Sequence, residues 1–310
     1  MKTDELLRKK WCVCLLAMVC CALWGSAHPG IKIGYKLFAI GAEETMVQIL
    51  FAGCRFFLGG ILAVFLGSLL NRKIFLPKKA SMGKIWKLAM VQTVAQYLFF
   101  YVGLAHTTGV KSSIINGCNV FMSIFIAAVF FKQEKITKRK MLGCLVGFAG
   151  VVLVNVVGSS GFDLQMKLNG EGALLVSNTV NGLAAVMLKR YSAEEDPVVL
   201  NGYQFILGGL VMIMVGIASG ARIAPAGAAL PAIAMLLYLG FVSAVAYSLW
   251  ALLLKYNPVS GVTIFGFMTP LFGVVLSALL LGETGALGIT GITALILVSV
   301  GIYVVNKERA

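Results

Sequence analysis

The sequence predicts an all-α integral membrane protein, with ten transmembrane helices arranged as two inverted five-helix repeats. Three observations predict it. The chain is 59% hydrophobic and 12% charged, with a mean hydropathy of +0.93, whereas soluble domains carry about 25% charged residues. The stretch GCRFFLGG at Gly53–Gly60 returns as GYQFILGG at Gly202–Gly209, 149 residues later, and the same offset lays Val110–Glu134 over Val259–Glu283. The connections of the two halves carry opposite charge at equivalent places.

Apolar runs of roughly 20 residues, enough to cross a ~30 Å hydrocarbon core at 1.5 Å per residue, recur along the whole length. The first, 11–40, holds Trp24 and the pair Pro29-Gly30, where a missing N–H and a missing Cβ should kink or break the helix. The run 44–70 carries the first copy of the repeat with Arg55, and 84–107 carries Gln92 and Gln96 one turn apart. Spans at 109–131 and 141–157 complete a first repeat at 1–157. The second repeat, 158–310, runs through 171–191, 198–219, 231–254, 259–281 and 286–305, with Pro258 and Pro270 bracketing a stretch suited to bending. No connection is long enough for an appended soluble domain. Gly25-Ser26-Ala27 resembles a signal cleavage site, but Pro29 behind it and the ten-helix symmetry argue for retention.

The net charge of +14 reads as topology rather than nucleic-acid binding. With both termini cytoplasmic, 20 of the 26 Lys and Arg fall inside: Lys2, Arg8, Lys9, Lys10, six between Arg72 and Lys87, five between Lys132 and Lys140, and Lys189, Arg190, Lys255, Lys307 and Arg309. Five face out (Lys32, Lys36, Lys111, Lys167 and Arg222), and Arg55 lies within a helix. This positive-inside bias places the chain in the cytoplasmic membrane. The connection KQEKITKRK at 132–140 has five basic residues and its repeat-mate GETGALG has none. Odd helix number and opposite loop charge together make the repeat inverted. Inverted repeats are common in secondary transporters, where the substrate sits near the midplane between halves that exchange conformations.

The polar groups left in the membrane are candidates for contact with a small substrate. Arg55 lies roughly 15 Å along its helix. A charge there costs on the order of 3 kcal/mol and needs a partner or water. It either ties helices together or faces a cavity where a substrate carboxylate pairs with it. Gln204 occupies the equivalent position of the second copy. Asn116 and Asn119, with Ser112 and Ser123 on the same face, Asn178 and Asn181, and Gln92 and Gln96 give three helices an amide pair each. Unpaired burial of such groups costs about 1–3 kcal/mol, so they are interhelical glue or line a wet cavity. Trp24, Tyr203, Tyr247 and Trp250 could wall it, and Ser243, Tyr247 and Trp250 share one stripe. Lys32 and Lys36 fit an outer interface or a pore lining; His28 and His106 fall near outer helix ends. The seven cysteines lack metal-ligand spacing and read as packing residues.

Trp24-Gly25-Ser26 followed by Ile31-Lys32, then Ala52–Phe56, resemble the first two helices of EamA-type transporters of the drug/metabolite transporter superfamily. So does Gly103–Asn155, through Gln133-Glu134 to GCLVGFAGVVLVN, and the second half repeats the pattern from NPVSGVTIFGFMTPLFGVVLSALLLGE to GIYVVN. The resemblance implies ten helices, no cofactor and transport of small metabolites, often export of amino acids or related compounds. One chain already holds both halves, so a monomer suffices for function, and the oligomeric state stays open. Two departures stand out. Phe121 replaces the proline whose counterpart is Pro270, which puts symmetric helix breaking in doubt, and Asn181 stands where tryptophan is frequent. An embedded enzyme would need a nucleophile, base or metal cluster, and two helix-end histidines without a mid-helix carboxylate do not supply one. A regulatory or assembly protein with a transporter-like fold is one alternative; another, a multidrug or organic-cation exporter, would be expected to place an acid in the membrane. Lacking that acid, the chain fits a neutral, zwitterionic or anionic substrate moved by facilitated diffusion or exchange.

Overall fold

The computed structural model describes residues 3–107, 112, 115–156, 166–281 and 289–307, and these form helices and turns without a strand. After a short helix at Thr3–Leu6 come α1 (Lys10–Leu37), α2 (Thr45–Leu70), α3 (Lys79–Ala105), α4 (Ile115–Val129) and α5 (Lys138–Val156). Then follow α6 (Leu168–Tyr191), α7 (Pro197–Ala218), α8 (Ala229–Tyr256), α9 (Val259–Leu280) and α10 (Ile289–Asn306). Seven of them, α1, α2, α3, α6, α7, α8 and α9, are long and apolar enough to cross a membrane. Bounds agree with the hydropathy spans to within a few residues; α3 begins earliest, at Lys79. The 157/158 boundary, Lys111, the 282–288 connection and the His28 side chain lie outside the described residues.

The two copies of the repeated octapeptide pack on each other. α2 and α7 run antiparallel and approach so closely that a Cβ on Gly60 would sit 2.5 Å from the Gly202 oxygen, and one on Gly209 2.5 Å from the Phe57 nitrogen. The contacts come in equivalent pairs: Gly60 meets Ile206 as Gly209 meets Phe57, and Gly53 meets Ile213 as Gly202 meets Val64. The small residues of the repeat thus mark a local two-fold axis, the close backbone approach that small-residue motifs permit in membranes. α5 and α10 also pack antiparallel, with Gly143 against Gly301 and Gly150 against Ala294. Around these pairs α1 packs on α8 and α9, as α6 packs on α3 and α4.

Two expectations about helix breaking are corrected. α1 runs through Pro29 without a break. Proline removes one hydrogen bond there, and the turns on either side, packed on α8 and α9, keep the helix whole. Conversely, α4 and α9 both tighten although only α9 has the proline. In α9 the backbone narrows to a 3-10 turn at Ile264–Phe267 before Met268–Leu281 resumes. In α4, Cys118 N–H bonds to the Ile115 carbonyl at 2.9 Å, the i to i+3 spacing of the same tight turn. Side chains of the opposite half's first helix stabilise both: Asn178 Nδ2 donates to the Ile115 carbonyl (2.7 Å), and Cys21 Sγ to the Phe265 carbonyl (3.1 Å). Pro258 precedes α9 as its N-cap and Pro270 lies just past the tight turn.

Candidate functional site

At the α2/α7 crossing four aromatic residues from two equivalent sets meet. Phe56 stacks on Phe205 with centroids 5.1 Å apart, and the Tyr97 and Tyr247 hydroxyls bond at 2.7 Å. Phe56 and Phe205 differ by the 149-residue offset and Tyr97 and Tyr247 by 150, so each pair straddles the axis. The cross contacts match as well, Phe56 lying 4.5 Å from Tyr97 and Phe205 4.9 Å from Tyr247. Aromatic rings suit such a site because they pack tightly while the tyrosine hydroxyls keep a polar end.

The residues that precede the two phenylalanines differ in charge. Arg55 Nε donates to Ser243 Oγ at 3.1 Å, and its guanidinium carbon lies 4.6 Å from the Phe56 ring centroid, a cation–π arrangement. Arg55 is 5% exposed, within electrostatic reach of Tyr35, Tyr101 and Tyr247. Gln204 bonds to the equivalent helix of the other half: its Oε1 accepts from Thr93 Oγ1 (2.6 Å) and its Nε2 donates to Gln92 Oε1 (3.3 Å). Gln92 and Thr93 lie in a π-helical segment of α3, Ala89–Ala95, a distortion frequent at functional sites. Among the described residues no carboxylate pairs with Arg55.

Around this centre the other sequence candidates separate into two groups. Trp24 and Trp250 extend the aromatic layer from Tyr247, with Trp24 centroids 5.1 Å from Tyr247 and 4.9 Å from Trp250. Asn116, Asn119 and Asn181 are half-buried, and the side-chain bonds of the first two, to Ser112 and from Ser123, are long at 3.5 and 3.4 Å. Gln96 is buried and its Oε1 lacks a hydrogen-bond partner. These groups keep polar capacity inside the bundle. Asn178 spends its amide on the α4 turn, and Tyr203 Oη bonds to the Phe75 carbonyl at 3.1 Å, pinning the α2–α3 connection away from the aromatic layer. Lys32 and Lys36 are exposed, and His106 Nδ1 lies 2.8 Å from the Val102 carbonyl of its own helix.

Sequence reading missed Tyr97, Thr93 and Asn201. Asn201 is fully buried, donates Nδ2 to the Tyr247 carbonyl at 2.8 Å and leaves Oδ1 without a partner. Its repeat counterpart is Ala52, so the mismatch within the repeat was the available signal. Two apolar grooves, one between α1 and α9 around Trp11, Leu15 and Phe272, the other around Phe121, Met122 and Met141, contain none of the candidate residues.

The α2–α3 and α6–α7 connections are tied together. Lys78 N–H donates to Glu195 (3.0 Å), Lys78 Nζ to the Glu194 carbonyl (2.7 Å), and Lys84 pairs with the Glu194 carboxylate. Lys84 draws the Glu194 carboxyl below its ordinary value. Burial acts to raise the Glu195 carboxyl, and the Lys78 and Asp196 N–H donors outweigh it, so it too is lowered. Lys189 Nζ bonds to the Leu254 and Asn257 carbonyls, placing a cation at the carboxyl end of α8.

The sequence pattern of the EamA-like transporter family matches residues 11–156 and again 168–307. The chain belongs to this family. It is 26% identical to the uncharacterized transporter YvbV of Bacillus subtilis (strain 168), over 92% of this chain and 88% of that one. An uncharacterized transporter of Archaeoglobus fulgidus is 24% identical over 97% of this chain and 100% of its own length. A solved crystal structure superposes with a TM-score of 0.78 over 96% of both chains at 15% identity, a likeness of fold alone. The protein is thus a multi-pass membrane transporter of the EamA-like family, and its relatives' names describe transport rather than catalysis.

Proposed function

We propose that this EamA-like chain is a secondary transporter that moves a small polar, zwitterionic or anionic metabolite across the cytoplasmic membrane by alternating access. In this reading all ten helices cross the membrane, residues 1–157 and 158–310 form two inverted repeats, and both termini face the cytoplasm. The observation that carries the reading is the two-fold set of contacts joining α2 to α7, with Arg55 at its centre. A substrate carboxylate, or other anionic group, pairs with the guanidinium, and the Trp24, Tyr247 and Trp250 rings pack on its apolar part. The half-buried amides of Asn116, Asn119 and Asn181 and the Gln96 Oε1 supply further hydrogen bonds, and substrate binding loosens the Arg55–Ser243 bond.

Movement follows from the repeat. Each half packs its first helix on the tight turn of the other half's fourth, and the turns in α4 and α9 are where the helices bend as one side opens. Pro258 and Pro270 frame that bend in α9, while Pro29 and Gly30 sit in α1 where it packs on α8. The buried cation beside the aromatic layer disfavours organic cations. Facilitated diffusion or exchange, in the export direction down a metabolite gradient, fits a site without a mid-membrane carboxylate among the described residues. The test is a thermal-stability screen of the purified protein against amino acids, organic acids, amines and sugars, followed by counterflow uptake in proteoliposomes. Stabilisation and counterflow by an acidic or zwitterionic compound support the reading; stabilisation by cationic amines alone contradicts it.

A further inference from the structure

We propose that Glu134 is the cytoplasmic latch of the transport cycle, joining the end of the fourth helix to the start of the ninth and breaking each time the cytoplasmic side opens. The inference rests on the alternating-access reading above. α4 ends at Val129, and the chain behind it curls back, Phe131 N–H bonding to the Ile126 carbonyl and Gln133 N–H to the Ala127 carbonyl. Lys132 takes a left-handed backbone (φ 50°), a conformation costly for a side chain with a Cβ. This turn delivers Glu134 to the amino end of α9.

The α9 end needs an acceptor from elsewhere. Its N-cap is Pro258, which offers no side-chain oxygen to the free N–H groups of the first turn. Glu134 supplies it from the other half of the chain: Oε1 accepts the Ser260 N–H at 2.9 Å, and Oε2 accepts the Ser260 hydroxyl and the Lys140 ammonium, the latter at 2.8 Å. The ion pair is enclosed, with side chains 6% and 13% exposed for Glu134 and Lys140. A carboxylate at a helix amino end also meets the favourable end of the helix dipole. One side chain therefore holds α4, α5 and α9 together, and a bend of α9 at Ile264–Phe267 that swings its cytoplasmic end must break the two charge-assisted hydrogen bonds to Ser260 and leave Glu134 paired with Lys140 alone. The repeat counterpart of Glu134 is Glu283, which lies outside the described residues.

The test needs no substrate. Asn181→Cys, at mid-depth on α6, is labelled with a membrane-impermeant maleimide applied from the cytoplasmic or the outer face of vesicles, and modification is read by site-resolved mass spectrometry. Glu134→Gln is expected to raise the cytoplasmic labelling rate about tenfold or more, as loss of charged hydrogen bonds implies, and to lower the outer rate. Lys140→Met gives a smaller change in the same direction. Where Glu134→Gln fails to fold, Glu134→Cys with Ser260→Cys, bridged by a short reducible thiol cross-linker, abolishes cytoplasmic labelling, and reduction restores it. Unchanged rates in folded Glu134→Gln, or undiminished cytoplasmic labelling of the bridged protein, overturn the latch. Labelling from each face in the Asn181→Cys parent meets what alternating access requires whatever Glu134 does; labelling of the parent and the Gln variant from one face only refutes that reading instead.

Discussion

Arg55 and Gln204 hold equivalent positions in the repeated octapeptide, and each bonds across to the helix that the other half contributes. Arg55 donates to Ser243 on α8, and Gln204 accepts from Thr93 on α3. Thr93 and Ser243 are themselves equivalent, at the same offset of 150 that relates Tyr97 to Tyr247. The backbone frame and its side-chain contacts are two-fold; the charge is not. A buried cation on one side of a symmetric aromatic layer gives the site a direction that its scaffold lacks.

Arg55→Gln makes the two positions chemically alike. The variant is expected to fold, because Gln204 shows that an amide fits the equivalent site, and to lose at least tenfold in counterflow of an acidic or zwitterionic substrate. Arg55→Lys retains the charge but not the planar fork, and should fall between. Counterflow rates with thermal melting of each variant check this.

The close α2/α7 crossing makes glycine essential at particular places. Gly60→Ala or Gly209→Ala brings a Cβ within 2.5 Å of backbone atoms, and overpacking of this kind costs about 1–3 kcal/mol. Gly83→Ala and Gly227→Ala meet nothing within 4 Å and should leave the melting temperature in detergent unchanged.

Asn178→Ala removes the donor to the Ile115 carbonyl. Loss of that bond at a buried tight turn costs about 1–3 kcal/mol. Thermal unfolding reads the loss, and Asn178→Gln, which keeps the amide on a longer stem, should recover part of it.

Acid should loosen the α2–α3 and α6–α7 connections before it affects the helical core. In the folded protein Lys84 holds the Glu194 carboxyl, and the Lys78 and Asp196 N–H donors hold the Glu195 carboxyl, below the ordinary glutamate value. Their stabilisation is therefore complete above that value and is lost as pH falls through the lower folded-state values. Melting temperature followed between pH 3 and 7 should decline at the acid end, and Glu194→Gln with Glu195→Gln should flatten that decline.

The helices and the repeat were legible because hydropathy and small-residue spacing are local properties of the chain. Less legible was what one half does for the other. Phe121 in place of proline argued against a break in α4, yet the tight turn at Ile115–Cys118 forms because Asn178, distant in sequence, takes up the carbonyl. Pro29 argued for a kink or break in α1, and the helix runs through it unbroken. Asn178 and Tyr203 looked like cavity residues by composition alone, but their partners lie in other helices and connections, which spacing within one helix does not reveal. Tyr97 and Tyr247 become a pair only when the axis brings them together.

The most direct test is two-sided accessibility of the central layer. Asn116→Cys and Asn181→Cys, probed with an impermeant maleimide from each face in turn, should both be labelled from either side, with a stabilising ligand raising one rate as it lowers the other. Simultaneous fast labelling from both faces without a reciprocal ligand effect would make the chain a channel and contradict alternating access.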